Sequence, residues 1–360
     1  MTYKAALFYG AENLEIKELS EPSVGAGEVL IKVEAANICP TDARKYRGLD
    51  ERYKKLQEPI ILGHEVAGTV INIGNGVNTI KIGDKVAIIP AIWCKKCKFC
   101  ARGNPELCNN RVGIGASVGE PSKVIAQFKK GFGGAFAEIL KVYEEQAIKI
   151  PANVSVKSAS LAEPFADVIK AQDMLSVNFE DKVIIFGLGP MGLMHTIYSK
   201  ICDAELIIGV DPIDERRRLA EKLGCNVTIN PTEGYLEEIK KIVPEGADVI
   251  IVATGGSVQA KCIEDGIRVA SKGARICNFA GTYPSSNISI DPNIIHYKQV
   301  MLTGSFAYNT STFVKGLNLM SRKSLDLASL LRKPEFPLEK IKEAFEIYGS
   351  PSALKVGINP

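Results

Sequence analysis

The chain contains no run of about eighteen apolar residues, so no segment reads as a membrane-spanning helix; the longest candidates are broken by Gly, Pro or charge. Net charge is scarce too. Lys and Arg number 44 against 41 Asp and Glu, a balance of +3, which excludes the concentrated basic excess of a dedicated nucleic-acid binder. No repeat recurs at solenoid periods and there is no low-complexity tract, so repeat architectures are excluded. Met1 to Ile16 lacks a basic stretch followed by an apolar core; no secretory signal is read, and a cytoplasmic location is expected. In that setting nine cysteines point to metal or catalysis rather than a disulfide framework. What is present is an ordinary globular composition, 46% apolar and 24% charged over 360 residues, long enough for two domains.

Up to about Pro151 the texture is of short β-rich segments separated by Gly and Pro. Lys4–Tyr9, Val29–Ala35, Val66–Ile73 and Lys85–Ile89 are the plainest strands. From Asp181 short apolar runs alternate with helical patterns. Val183–Phe186, Leu206–Val210, Val249–Val252 and Arg275–Phe279 read as buried parallel strands, with Met191–Ile201, Asp214–Leu223 and Val258–Ala270 as crossover helices. That order predicts a doubly wound parallel α/β domain. The stretch from about Ile295, with "VMLTGS" and then Leu338–Tyr348, is assigned back to the first domain.

After the strand ending at Phe186 comes Gly187-Leu188-Gly189-Pro190-Met191-Gly192, a G-x-G-x-x-G. The first glycine permits a tight turn, the second lets backbone approach a pyrophosphate, and the third lets the helix pack on the sheet. The helix N-terminus adds unpaired N–H groups and a positive dipole end. Asp211 closes the next strand about twenty residues on, where a carboxylate accepts from the adenosine ribose hydroxyls and repels a 2′-phosphate. NAD is therefore favoured over NADP, with Arg216-Arg217-Arg218 as the counter-reading.

Cys94, Cys97, Cys100 and Cys108 form C-x2-C-x2-C-x7-C, the spacing of a closed tetrahedral zinc lobe. An iron–sulfur run would continue with x3-C-P, and the fourth cysteine here lies farther off and precedes Asn109. Lys95, Lys96 and Lys98 make the lobe basic, which reads as a solvated face rather than a nucleic-acid module. A second, dispersed set comprises Cys39 in "NICPTD", His64-Glu65 in "LGHE" and Glu163 in "AEPFAD". All are acceptable zinc ligands, and three would leave a position open for water or substrate. Spacing alone does not bring them together. Of the other histidines, His195 reads as a packed helix residue and His296 as a surface one; Cys202, Cys225, Cys262 and Cys277 read as buried free thiols.

With these residues in hand, nearly the whole chain resembles the zinc-containing medium-chain alcohol dehydrogenase family, nearest in pattern to its sorbitol and threonine dehydrogenase branch. "GHE", the four-cysteine lobe, "GGAFAE", "GLGPMG" and "TGS" occur in family order. The resemblance implies a GroES-like catalytic domain over 1–155 with the zinc lobe at about 90–112, a Rossmann domain over 156–295 and a returning segment over 296–360. It also implies two zinc ions per subunit. Cys39 and His64 become catalytic zinc ligands, Glu65 a neighbouring residue or alternative ligand, and Glu163 the glutamate that the polyol branch carries where simple alcohol dehydrogenases have cysteine.

Thr41 matches the hydroxyl that bonds the reacting alcohol and starts a proton relay. Arg44 stands where many relatives place the outer relay histidine, and arginine does not deprotonate, which counts against threonine as substrate. Pro190, Met191, Asp211 and Arg216 fall to the pyrophosphate and adenosine end, and Phe279, Ala280, Gly281, Phe306 and Ala307 to the nicotinamide. The expected activity is oxidation of a polyol or sugar alcohol by a homodimer or homotetramer, with no nucleic-acid or membrane partner. Two other readings exist: a zinc-free quinone or enoyl reductase, against which the ligand residues argue, and a non-catalytic cofactor-binding protein.

Overall fold

Strand Glu28–Asn37 is the axis of the first half of the molecule. Seven of its nine residues from Val29 to Asn37 are buried, all but Lys32 and Glu34. It pairs antiparallel with Glu65–Ile73, from Val29 opposite Ile73 to Asn37 opposite Glu65, and with Ile139–Tyr143. The C-terminal strand Gly357–Asn359 joins its other side near the end, with Gly357 opposite Asn37. A seven-stranded sheet results, accompanied by a three-stranded sheet of Asn13–Ser20, Thr2–Gly10 and Lys55–Ile61. Between them lies an apolar core that includes Phe8, Ile31, Tyr53, Phe136 and Phe345.

The computed structural model describes residues 1–117, 119–281, 285–332, 334–348 and 354–360. One compact unit comprises Met1–Ala166 with Asn309–Pro360, and the other comprises Asp167–Tyr308.

In the second unit six parallel strands run in the order Val227–Ile229, Leu206–Val210, Lys182–Phe186, Ala247–Val252, Ala270–Asn278, Met301–Gly304. The first strand in sequence is thus central, and the chain winds outward to one side before returning to the other. This is the doubly wound order whose switch point lies beside the first strand. Helices Pro190–Ile201, Asp214–Leu223, Tyr235–Ile242, Gln259–Arg268 and Pro292–Lys298 supply the crossovers.

Two boundaries differ from the sequence expectation. The "VMLTGS" segment belongs to the second unit, because Met301–Gly304 pairs in parallel with Ala270–Asn278; the chain returns at Asn309 rather than 296. Conversely, residues 156–166, with Glu163, belong to the first unit. No helix among the described residues is long and apolar enough to cross a membrane.

Candidate active site

The glycine loop is built as its spacing requires. Gly187 has φ +91°, and a Cβ on it would strike Thr254 at 2.8 Å; a Cβ on Gly192 would lie 1.8 Å from the Gly187 carbonyl oxygen. At Gly189, by contrast, a Cβ would meet only Arg216 Nη1, at 3.9 Å. That is open ground over the helix N-terminus, which suits a dinucleotide phosphate. Pro190 opens the helix, where a missing N–H costs nothing. The Asp211 carboxylate is clamped beside the loop, accepting from the backbone N–H of Leu188 and of Ile213, both at 2.8 Å. Phe279 packs edge-on against His195 at 4.5 Å, and the Ala280 carbonyl accepts from Gln259. Gly281 follows, Phe306 is exposed, and Ala307 takes φ +53°.

The four lobe thiols lie within 4.8 Å of one another, the one group of three or more His, Cys, Asp or Glu this tight among the described residues. Cys97 and Cys100 sulfurs are 3.6 Å apart, against about 3.8 Å for two thiolates on one tetrahedral zinc. Backbone N–H groups of Lys96 and Cys97 pull the Cys94 thiol down to about 6. Burial and the neighbouring thiols Cys97 and Cys108 push Cys100 up to about 12. Thiolates crowded this way repel one another until a cation joins them. The donor set fits zinc.

The dispersed set is assembled by strand register. Asn37 stands opposite both Glu65 and Gly357, so Cys39 just beyond one strand meets His64 just before the next. Lys355, just before the third strand, arrives at the same end. Asn37 also donates through Nδ2 to Ser160 Oγ at 2.9 Å, which anchors the segment leading to Glu163. Gly63 takes φ +91° and sits on the Phe136 ring with no room for a side chain; this turn aims His64 inward.

Asp42, in the first turn of helix Pro40–Tyr46, ties the parts together. One oxygen accepts from Cys39 N–H at 3.0 Å; the other accepts from Gly63 N–H at 3.3 Å and lies 3.4 Å from His64 Nδ1. His64 Nε2 lies 3.5 Å from Thr41 Oγ1, and the ring interacts with the Cys39 thiol. Burial works against a charged His64, but Asp42 and Cys39 outweigh it and raise its pKa well above the ordinary imidazole value.

Glu65 and Lys355, 1% and 2% exposed, form a buried ion pair. Glu163 lies within electrostatic reach of both. The second carboxylate oxygen of Glu65 is buried without a hydrogen-bond partner, as suits a neighbouring cation. Cys39, His64, Glu65 and Glu163 do not close to the lobe's tightness, since Glu65 is turned to Lys355. As a donor set of one thiol, one imidazole and carboxylates, they fit zinc, and with one of the two carboxylates ligating, a position is left to spare.

Sequence reasoning passed over Asp42, Lys355 and two further groups. Lys45 is buried, with Nζ 3.4 Å from the Thr41 carbonyl oxygen and 5.0 Å from the Tyr53 ring centre. The Tyr348 phenol is raised by burial and by Cys39, Glu65 and Asp42 nearby. Asp42 was findable as an acid in the first turn of a helix starting at Pro40; Lys355 carried no local signal. None of the nine cysteines is in a disulfide, and Cys202 and Cys262 are only half-buried, unlike Cys225 and Cys277.

Two family models match, "Alcohol dehydrogenase GroES-like domain" over residues 25–152 and "Zinc-binding dehydrogenase" over residues 190–322. An L-threonine 3-dehydrogenase from Pyrococcus abyssi is 32% identical over 346 residues, covering 94% of this chain and 92% of that protein. The chain belongs to the zinc-containing medium-chain alcohol dehydrogenases. A sorbitol dehydrogenase from Bombyx mori is 28% identical to this dehydrogenase over 361 residues, with 99% and 98% covered. The crystal structure of 2R,3R-butanediol dehydrogenase from Bacillus subtilis superposes with TM-score 0.85 at 26% identity, with 99% of each chain covered. The dehydrogenase is thus a zinc-dependent oxidoreductase of alcohols that uses a nicotinamide dinucleotide.

Proposed function

We propose that this dehydrogenase oxidises a secondary alcohol of polyol or sugar type to a ketone with NAD, using one catalytic and one structural zinc per subunit. The observation that carries the reading is the grouping of Glu163 with Glu65 and Lys355 at the end of the strands that deliver Cys39 and His64. A carboxylate in the third ligand place, within a charged surround, suits a substrate bearing several hydroxyls better than a plain alkanol.

Cys39, His64 and Glu163 would hold the catalytic zinc, with Glu65 as its neighbour or alternate; the four lobe cysteines would hold the other. Bound zinc supplies Lewis acidity, and the dinucleotide supplies the hydride acceptor. Asp42, whose Oδ1 lies 3.4 Å from Nδ1, would orient His64 and favour the tautomer with the proton on that side. Thr41 Oγ1 accepts the substrate hydroxyl proton and passes its own outward. Arg44 stays protonated and cannot receive it, so the proton leaves through water or another group. Asp211 would bind the adenosine ribose, and the Gly187–Gly192 loop the pyrophosphate. The same reading carries a cytoplasmic homodimer or homotetramer with no nucleic-acid or membrane partner.

A threonine or 2,3-diol substrate is the second reading, favoured by the 32% identity to a threonine dehydrogenase against 28% to a sorbitol dehydrogenase. A spectrophotometric panel of sorbitol, xylitol, inositol, 2,3-butanediol and L-threonine, each with NAD and NADP, decides between them. The proposal expects the highest kcat/KM on a polyol or sugar with NAD. A tenfold preference for L-threonine or for NADP would overturn that part of it.

A further inference from the structure

We infer that Asp214 is a second determinant of cofactor selectivity, acting by holding Arg217 and Arg218 so that they do not form a 2′-phosphate site. The inference rests on the NAD reading above. Three consecutive arginines follow the ribose carboxylate on the first half of helix Asp214–Leu223. Guanidinium groups so placed are natural partners for a dianionic phosphate.

Arg216 marks the groove. Its Nη1 lies 3.6 Å from Asp211 Oδ2 and is the atom nearest the open space over Gly189; its Nε is buried without a partner. Arg217, 14% exposed, reaches the same place, donating to the Asp211 carbonyl at 2.7 Å. Its other arm donates to Asp214 Oδ1 at 3.2 Å, while Arg218 meets Asp214 Oδ2 at 2.5 Å. Each Asp214 oxygen therefore takes one guanidinium.

Asp211 and Asp214 act differently. The first opposes a 2′-phosphate by direct repulsion; the second neutralises the cations that would attract it. The Arg218 pair is solvent-exposed and contributes little by itself, so the effect falls mainly through Arg217.

The test is calorimetric titration of the purified protein with AMP and with adenosine 2′,5′-bisphosphate, which differ only at the 2′-position. The wild-type protein should prefer AMP. Asp214→Ser should shift the affinity ratio towards the bisphosphate by about tenfold, the order expected for one freed guanidinium meeting a dianion at the protein surface. Asp211→Ser with Asp214→Ser should shift it further, and adding Arg217→Ala to Asp214→Ser should abolish the gain. Thermal melts followed by circular dichroism confirm that each variant is folded. A ratio that moves less than twofold in Asp214→Ser, or a gain that survives when Arg217→Ala is added to it, overturns the inference while leaving the NAD reading standing. A wild-type preference for the bisphosphate overturns both.

Discussion

On the proposed function, the cysteine lobe and the group around His64 solve one problem, gathering soft and borderline donors for a divalent ion, in opposite ways. The lobe does it locally. Cys94 to Cys108 need only two short turns and a two-stranded base, Ala91–Ile92 with Val112–Gly113, to bring four sulfurs within 4.8 Å. The His64 group does it globally, through three strands whose ends coincide at Asn37. A local cage contributes mainly to folding, since its metal replaces a core the lobe is too small to build. A global one can leave a side open, because its donors are positioned by a sheet that is stable without them.

Cys39→Ser and Cys97→Ser break this comparison most sharply. Cys39→Ser should cut kcat/KM by about a thousandfold or more, roughly 4 kcal/mol of barrier, while the thermal midpoint stays within a few degrees of wild type. Cys97→Ser should do the reverse, lowering the midpoint and halving the zinc content before activity is measured. Near-normal turnover in Cys39→Ser, or an unchanged melt in Cys97→Ser, would show that the two groups are not divided in this way. Zinc by elemental analysis reads both.

Lys355 tests whether the dispersed group is held by charge as well as by register. Lys355→Met leaves the Glu65 carboxylate buried and uncompensated, which should destabilise the protein by about 3–5 kcal/mol. Adding Glu65→Gln should return most of that loss, measured by urea unfolding as a double-mutant cycle. Equal loss in the single and double variants would mean that Lys355 serves packing alone. A smaller effect is expected at Asp42. Asp42→Asn keeps the shape but weakens the hold on His64 Nδ1, so zinc affinity or kcat/KM should fall about 10- to 100-fold.

The same contrast explains what could be read from the sequence. The glycine loop, the lobe and the parallel strands are each written within a few dozen residues, and the structure shows them where the pattern put them. Strand edges were harder. Met301–Gly304 has the same apolar texture as strands of the first unit, and only its pairing with Ala270–Asn278 assigns it to the second. Lys355 could not be singled out, because a lysine near a C-terminus is ordinarily solvated; its burial follows from Gly357 pairing with Asn37 across most of the chain. Cys39 and Glu163 were named by residue type and given ligand roles by resemblance; what the structure adds is the register that brings Cys39 to His64 and the Asn37–Ser160 contact ahead of Glu163.

His195 supplies the control. Like His64 it is fully buried, but among the described residues no carboxylate acts on it. Gln172 bonds its Nδ1 at 3.0 Å and its carbonyl at 2.8 Å, and Phe279 lies against the ring. Burial alone therefore acts, pushing the pKa down to about 3. Between that value and the ordinary one near 6.5, the unfolded chain carries the proton and the folded chain does not. Unfolding takes up a proton, and stability falls as pH drops through this window. Each pH unit costs about 1.4 kcal/mol, so His195 should account for about 2 kcal/mol of stability lost between pH 6.5 and pH 5. His195→Leu should remove that part of the slope, whatever it costs in stability at pH 7. If urea unfolding of His195→Leu declines with acid as steeply as the wild type, then burial without a carboxylate does not keep this imidazole neutral, and the distinction drawn between the two histidines would fail.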